Sequence, residues 1–223
     1  MLRFSLIFII LFSGCSIINE YPSSHQLKNF TYFMKQPDGI TCGPVCDKMV
    51  LRYYGINVNW DELEKAVLFS AQYRGDRIGF STPNGVASGL RKNGLRCHVT
   101  RGSITYLKNQ ISNNKPVIVL LRSGTEMWHW VVVIGYNSEN ICFADPYTGS
   151  REWVLTKNFE SSWSFKTDMD GDTVGKLCPW CHGYKVKFLF PCDVCFGSGF
   201  LDVYKNGLRS AGIYSYTLVV PKP

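Results

Sequence analysis

The sequence predicts an α+β fold: a helical first part packed on an antiparallel sheet, with a small cysteine-rich insertion near the C-terminal end. Three observations predict it. Apolar residues recur at helical spacing behind Cys42, and further capped helical segments follow. Beyond Lys115 the pattern changes to β-rich runs, two of them joined by a short turn. Two C-x-x-C pairs then interrupt the chain before a last β-rich run.

At 223 residues the chain holds one substantial domain with room for a small appendage. Charged residues are 18% and hydrophobic residues 45%, a globular rather than a disordered balance. The net charge of +7 is spread thinly, without a long basic run, and gives no ground for expecting a nucleic-acid partner. The start, "MLRFSLIFIILFSGCS", carries Arg3, an apolar run to Phe12 and then small residues. This is the pattern of a secretory signal, too short in its apolar part to span a bilayer stably. Ser13-Gly14-Cys15 resembles the lipobox of bacterial lipoproteins, in which the signal is cut before the cysteine and lipid is attached to its sulfur. An ordinary signal with an incidental cysteine is the alternative. With Ser16 next, the resemblance implies the bacterial cell envelope, at the outer membrane facing the periplasm. Residues 1–14 are therefore read as signal peptide, and the polar residues 15–29 as a tether.

The elements follow in order. Behind Cys42, the residues Cys46, Met49, Val50 and Tyr53 keep helical spacing until Gly55 ends the run. Asn59 caps "WDELEKAVLF", whose early acids suit a helix N-terminus. A Gly-rich loop is expected to about Phe80, and then Thr82 and Pro83 form an N-cap and first turn for a helix that closes at Gly94. "LRCHVT" reads as a short strand, "SITYLKNQISNN" as a helix and "KPVIVLLR" as a buried strand. Trp130–Tyr136 and Ile141–Ala144 are β-rich runs joined by "NSEN", a hairpin with His129 at its entry and Asp145 at its exit. "YSYTLVVP" is the last strand.

The stretch "QPDGITCGPVC" places Cys42 at or near the first turn of its helix. Unpaired N–H groups and the positive end of the macrodipole there favour thiolate over thiol. Taken alone, Cys42 fits a buried structural thiol as well as a nucleophile. His129 alone fits a satisfied strand-end histidine, and Asp145-Pro146 alone a turn starter. Together they supply chemistry, because an antiparallel hairpin sets the start of one strand beside the end of the next. An imidazole held by a carboxylate takes a thiol proton, and the acid fixes its tautomer.

Gln36, the Cys-Gly-Pro-x-Cys start at Cys42, "HWVVVIGY" at His129 and the Asp-Pro at Asp145 together resemble the C39 peptidase family of papain-like cysteine proteases. The resemblance spans roughly residues 30–165 plus the last strand, and it implies a papain-like fold over 30–164 and 201–223. It implies Cys42 as nucleophile, His129 as general base and then acid, and Asp145 as the orienting carboxylate. Gln36 would donate to the tetrahedral oxyanion beside the Cys42 N–H, a contribution of roughly 3 kcal/mol in comparable holes. Well-known members of that family are fused to ATP-binding transporters and trim double-glycine leaders in the cytoplasm. This sequence shows no P-loop and no transmembrane bundle, and it reads as exported, so the resemblance by itself does not imply double-glycine specificity.

Cys46, Cys97 and Cys142 read as core thiols, and Trp128 and Trp130 as core residues or a cleft wall. In the 165–200 insertion, Cys178, Cys181, Cys192 and Cys195 form C-x-x-C, ten residues, C-x-x-C, with "YKVKFLF" as a connecting strand. Two such knuckles suit one structural Zn²⁺; two disulfides or a redox-active "CPWC" are alternatives. "CDVCFGSG" resembles the C-x-x-C-x-G-x-G repeat of DnaJ-type zinc regions, whereas "CPWCHGYK" matches only in part. His182 would be a surplus ligand. "DMDGD" at 168–172 lacks the spacing and closing Glu of a calcium loop. The function expected is a lipid-anchored, exported cysteine peptidase acting on a peptide or protein, with cleavage after small residues or glycine. The alternative is a periplasmic peptide-binding or chaperone-like protein that uses the groove and knuckle without cutting.

Overall fold

The computed structural model describes residues 21–73, 76–123, 127–164, 186–187, 190–191 and 217–222. The elements, in chain order, begin with β1 (His25–Gln26), α1 (Cys42–Tyr53), α2 (Trp60–Val67), β2 (Leu68–Tyr73), β3 (Asp76–Ser81) and α3 (Pro83–Lys92). They continue with β4 (Arg96–Arg101), α4 (Ile104–Ser112), β5 (Val117–Ser123), β6 (Met127–Tyr136), β7 (Asn140–Asp145), β8 (Ser150–Leu155) and α5 (Thr156–Ser164). The short β9 (Val186–Lys187) and β10 (Phe190–Pro191) and the final β11 (Thr217–Lys222) complete the described chain.

Local chemistry sets these boundaries. The Asn59 side chain accepts from the N–H groups of Asp61 and Glu62 at 2.9 and 3.2 Å, and Thr82 accepts from Gly85 at 3.0 Å. Gly55 and Gly94, just past α1 and α3, have φ of 77° and 85°, a left-handed conformation that a side chain disfavours.

Helices and sheet then bury one continuous core. The main sheet runs β4-β11-β5-β6-β7-β8, with β1 pairing beside the end of β6, and every pairing in it is antiparallel. The strand expected over "KPVIVLLR" is buried from Val117 to Leu121, consistent with its near-continuous apolar run. α1 packs on β6 and α5 on β5, and Val45, Cys46, Val50, Val132, Ile134 and Val219 are fully buried between them and their neighbours.

The structure departs from the sequence reading in four places. Residues 21–29 do not hang as a tether: β1 pairs with Gly135 and Tyr136, and Leu27 is buried. Tyr21 meets Tyr136 edge-on at 5.8 Å, and the Tyr136 hydroxyl donates to the Pro22 carbonyl at 3.0 Å. The polar composition of this stretch hides one well-placed leucine, which the sheet edge captures. The stretch read as a Gly-rich loop is the β2–β3 hairpin, whose cross-strand pair Phe69–Phe80 has ring centroids 5.6 Å apart. β8 and α5 lie where the sequence showed no element. β8 alternates weakly, and α5 depends on Phe159 and Trp163 reaching the core. The connecting strand expected between the C-x-x-C pairs is instead two short antiparallel strands, β9 and β10.

Candidate active site

The hairpin of β6 and β7 brings His129 and Asp145 together. Val132 pairs with Ala144, so Asp145 lies one residue beyond the register and its carboxylate reaches the ring diagonally. The Asp145 Oδ1 lies 2.6 Å from the His129 Nε2, and both side chains are largely covered, at 16% and 19% exposure. Asp145 is fixed in turn by its own turn: its Oδ1 accepts the Tyr147 N–H at 2.8 Å, and its carbonyl accepts the Gly149 N–H at 2.8 Å. With Nε2 turned to Asp145, Nδ1 is the ring nitrogen left for the Cys42 thiol, which is near enough to raise the ring's affinity for its proton.

Electrostatics follow from this line of three groups. Burial alone would lower the affinity of the His129 ring for its proton. Hydrogen bonds to Asp145 and Cys42, together with their charges, outweigh it and raise the pKa from 6.5 to about 9. Burial likewise pushes the Asp145 carboxyl up, but the His129 hydrogen bond and charge and the Tyr147 N–H bring it below its ordinary value. Asp145 is therefore the anion that holds an imidazolium in place.

Cys42 stands at the first position of α1, buried at 8% exposure. No side chain caps this helix and no acid sits in its first turn. Pro44 brings no N–H, and the first intrahelical bond runs from the Val45 N–H to the Thr41 carbonyl at 3.1 Å. The N–H groups of Cys42 and Gly43 are thus the donors the helix start presents without an intrahelical partner. Gly43 is required by contact: a Cβ there would lie 2.5 Å from the Ser81 hydroxyl oxygen.

Gln36 lies on the same side of the site through the backbone. Its N–H donates to the carbonyl of Pro146 at 2.7 Å, which ties the segment before α1 to the turn after Asp145. Its side-chain Nε2 donates to the Asp38 carbonyl at 2.6 Å, while Oε1 is buried without a partner. The Asp38 acceptor decides which end of the amide carries hydrogen.

Sequence reasoning missed Asp47, Asp38 and Arg77. Asp47, on α1, is fully buried with neither carboxylate oxygen partnered, and burial raises its pKa well above the ordinary value. It sits next to Cys46 at the edge of the apolar stripe, and that spacing was the one available signal. Asp38 lay in view as a turn former in "PDG", whereas nothing local marked Arg77.

The other thiols are placed as core. Burial raises the pKa of Cys46, with the charges of Cys42, Asp47 and Asp145 adding to it; burial also raises Cys97 and pushes Cys142 to about 12. Trp130 is buried, its indole N–H donating to the Ser81 carbonyl at 3.0 Å, so it is core and not a cleft wall. An open cavity beside the His129–Asp145 pair is lined by Leu121, Arg122, Val131, Phe143 and Ser162. Among the described residues no group of His, Cys, Asp or Glu is arranged to hold a metal, and no helix is long and apolar enough to cross a membrane. Cys15, Cys178, Cys181, Cys192 and Cys195 lie outside the described residues.

A helix that starts at a cysteine, laid against an antiparallel sheet that carries histidine and aspartate on adjacent strands, defines a papain-like fold. The chain belongs to the Peptidase C39 like family, whose sequence profile matches residues 20–167. A Bacillus anthracis protein described as a C39-like peptidase is similar in structure, with 18% identity and a TM-score of 0.54, over 64% of this chain and 92% of that one. The peptidase domain of Streptococcus ComA, a bi-functional ABC transporter involved in a quorum sensing pathway, is 21% identical with a TM-score of 0.49, over 60% and 92% of the two chains. A double glycine motif protease from an AMS/PCAT transporter, in complex with the leader peptide, is 20% identical with a TM-score of 0.43, over 58% and 83%. No curated protein matches the chain.

Proposed function

We propose that the protein is an exported, lipid-anchored cysteine peptidase that hydrolyses a peptide bond through Cys42, His129 and Asp145. The observation that carries this reading is the His129 ring, hydrogen-bonded to Asp145 at 2.6 Å and kept protonated against its burial by Asp145 and the neighbouring Cys42. An imidazolium beside sulfur is the arrangement that yields a thiolate–imidazolium pair. The Cys42 sulfur attacks the scissile carbonyl carbon, and the carbonyl oxygen takes the negative charge. The N–H groups at the start of α1 and the second N–H of the Gln36 amide stabilise that charge. His129 then gives its proton to the leaving amine, and the acyl group stays on sulfur. Water, deprotonated by His129, attacks the thioester and frees Cys42. Asp145 holds the ring in one tautomer throughout.

Lipid on Cys15 would hold the domain at the outer membrane, and thiolates from Cys178, Cys181, Cys192 and Cys195 would hold one structural Zn²⁺ in the 165–200 insertion. The substrate class is an extended peptide or exported protein with small residues before the cut.

Mass spectrometry of exported peptides incubated with wild type and Cys42→Ala tests the reading. Peptides cleaved by wild type and left whole by the variant are expected. A set of peptides that both proteins bind and neither cuts would replace it with the binding-protein reading.

A further inference from the structure

The oxyanion donor Gln36 is not self-supporting. Its amide is oriented by one contact, the 2.6 Å bond from Nε2 to the Asp38 carbonyl, because its Oε1 has no partner to hold it from the other end. That carbonyl also accepts from the Thr41 hydroxyl at 3.4 Å, and the Asp38 side chain holds the residue on its other side. One carboxylate oxygen accepts the Ile40 N–H at 3.1 Å, and the other accepts from Arg77 Nη1 at 3.0 Å. Arg77 is held on its second nitrogen by Glu64 of α2. The β3 strand that carries Arg77 fits closely against the turn, since a Cβ at Gly79 would lie 3.1 Å from the Ile40 side chain.

We propose that Arg77 is a positioning residue for the oxyanion site: bridged between Glu64 and Asp38, it holds the Asp38 carbonyl where it orients the Gln36 amide toward the substrate oxygen. This rests on the cysteine-peptidase reading of the site. The bridge joins α2, the β2–β3 hairpin and the turn before Cys42, three segments with no other shared role in the chemistry. A planar guanidinium suits the task because it offers separate N–H donors to two carboxylates at a fixed angle. Arg77 and Asp38 are each 33% exposed, so their pairing is screened and contributes little to overall stability. Its effect falls on the geometry of the donor.

Two reagents with different needs separate this role from a general structural one. With p-nitrophenyl acetate, the Cys42 thiolate adds to the ester carbonyl, an oxyanion forms, and p-nitrophenolate leaves with the acetyl group on sulfur. With iodoacetamide, sulfur displaces iodide at a saturated carbon and no oxyanion forms. On the full chain, Arg77→Ala and Asp38→Asn are expected to slow Cys42 acetylation about tenfold, a fraction of the ~10²–10³ lost on removing an oxyanion donor outright. Alkylation should stay within about twofold of wild type, and Arg77→Lys should recover part of the acetylation rate. In a Gln36→Ala background the Arg77→Ala change should have no further effect. Equal losses with both reagents, unchanged acetylation, or an additive loss on top of Gln36→Ala would overturn the proposal. If Arg77→Ala does not fold, the near-isosteric Asp38→Asn decides by the same criteria. Wild type unreactive toward both reagents at Cys42 sinks the peptidase reading and this proposal with it. Reactive wild type with indifferent variants sinks this proposal alone.

Discussion

Replacing Asp47 by Asn removes a titrating group from the core while keeping its shape, and the consequence for stability can be worked from its surroundings. The carboxyl is fully buried, neither oxygen has a partner, and the space opposite is the bare Cα of Gly89, where a Cβ would lie 2.2 Å from Oδ2. The titrating neighbours that feel it, Cys46 on α1 and Cys97 on β4, are thiols and offer no compensating positive charge. An unpaired buried carboxylate costs several kcal/mol, so the folded chain keeps the proton instead. The folded pKa is therefore raised above the unfolded value of about 3.9. With that sign, the contribution to stability is full below the unfolded pKa and is lost as pH rises through the folded one. Over this window wild type should lose about 1.4 kcal/mol per pH unit relative to Asp47→Asn. Urea unfolding of both proteins from about pH 4 upward measures the difference, and a common m-value licenses the subtraction. His129 and Asp145 occur in both chains and cancel. The pH at which the difference levels off reports the folded Asp47 pKa. Parallel stability curves over the whole range would show that Asp47 is ionised in the folded chain and that this account of its burial is wrong.

The His129 ring should remain an imidazolium to about pH 9 in its NMR titration, and Asp145→Asn should move the midpoint down. Because the pKa is raised, this group stabilises the fold below about 6.5 and loses that effect as pH climbs through about 9. Gly43→Ala should destabilise by about 1–3 kcal/mol in chemical unfolding, because the new methyl would meet the Ser81 side chain at 2.5–2.6 Å. Elemental analysis of gently purified protein should find about one zinc per chain; metal-free protein with two disulfides among Cys178, Cys181, Cys192 and Cys195 would refute it. Wild type should partition with membranes while Cys15→Ser does not, and a soluble wild type would end the lipoprotein reading.

The sequence by itself determined what interactions within a few residues decide. Asn59 and Thr82 cap helices because their oxygens reach N–H groups two or three residues on, and Gly55 and Gly94 end helices because the next turn needs positive φ. His129 and Asp145 were legible as strand-end neighbours because one tight turn joins their strands, but a register shift between Val133 and Gly135, which no local pattern announced, is what sets both side chains on one face. Cys42 was legible as a helix start from its local pattern, whereas its pairing with His129 followed only from the family resemblance, because that contact depends on α1 docking against β6. Tertiary structure alone decided the insertion of β11 between β4 and β5, the capture of residues 21–29 by the sheet edge and the bridge from Arg77 to Asp38. It also decided that Asp47 is buried, a fact its polar side chain argues against until α3 closes over it. Local patterns report the preferences of a short segment, whereas these contacts follow from which faces the assembled layers bury. That selection is made by the packing of segments far apart in the chain, where no short stretch carries the signal.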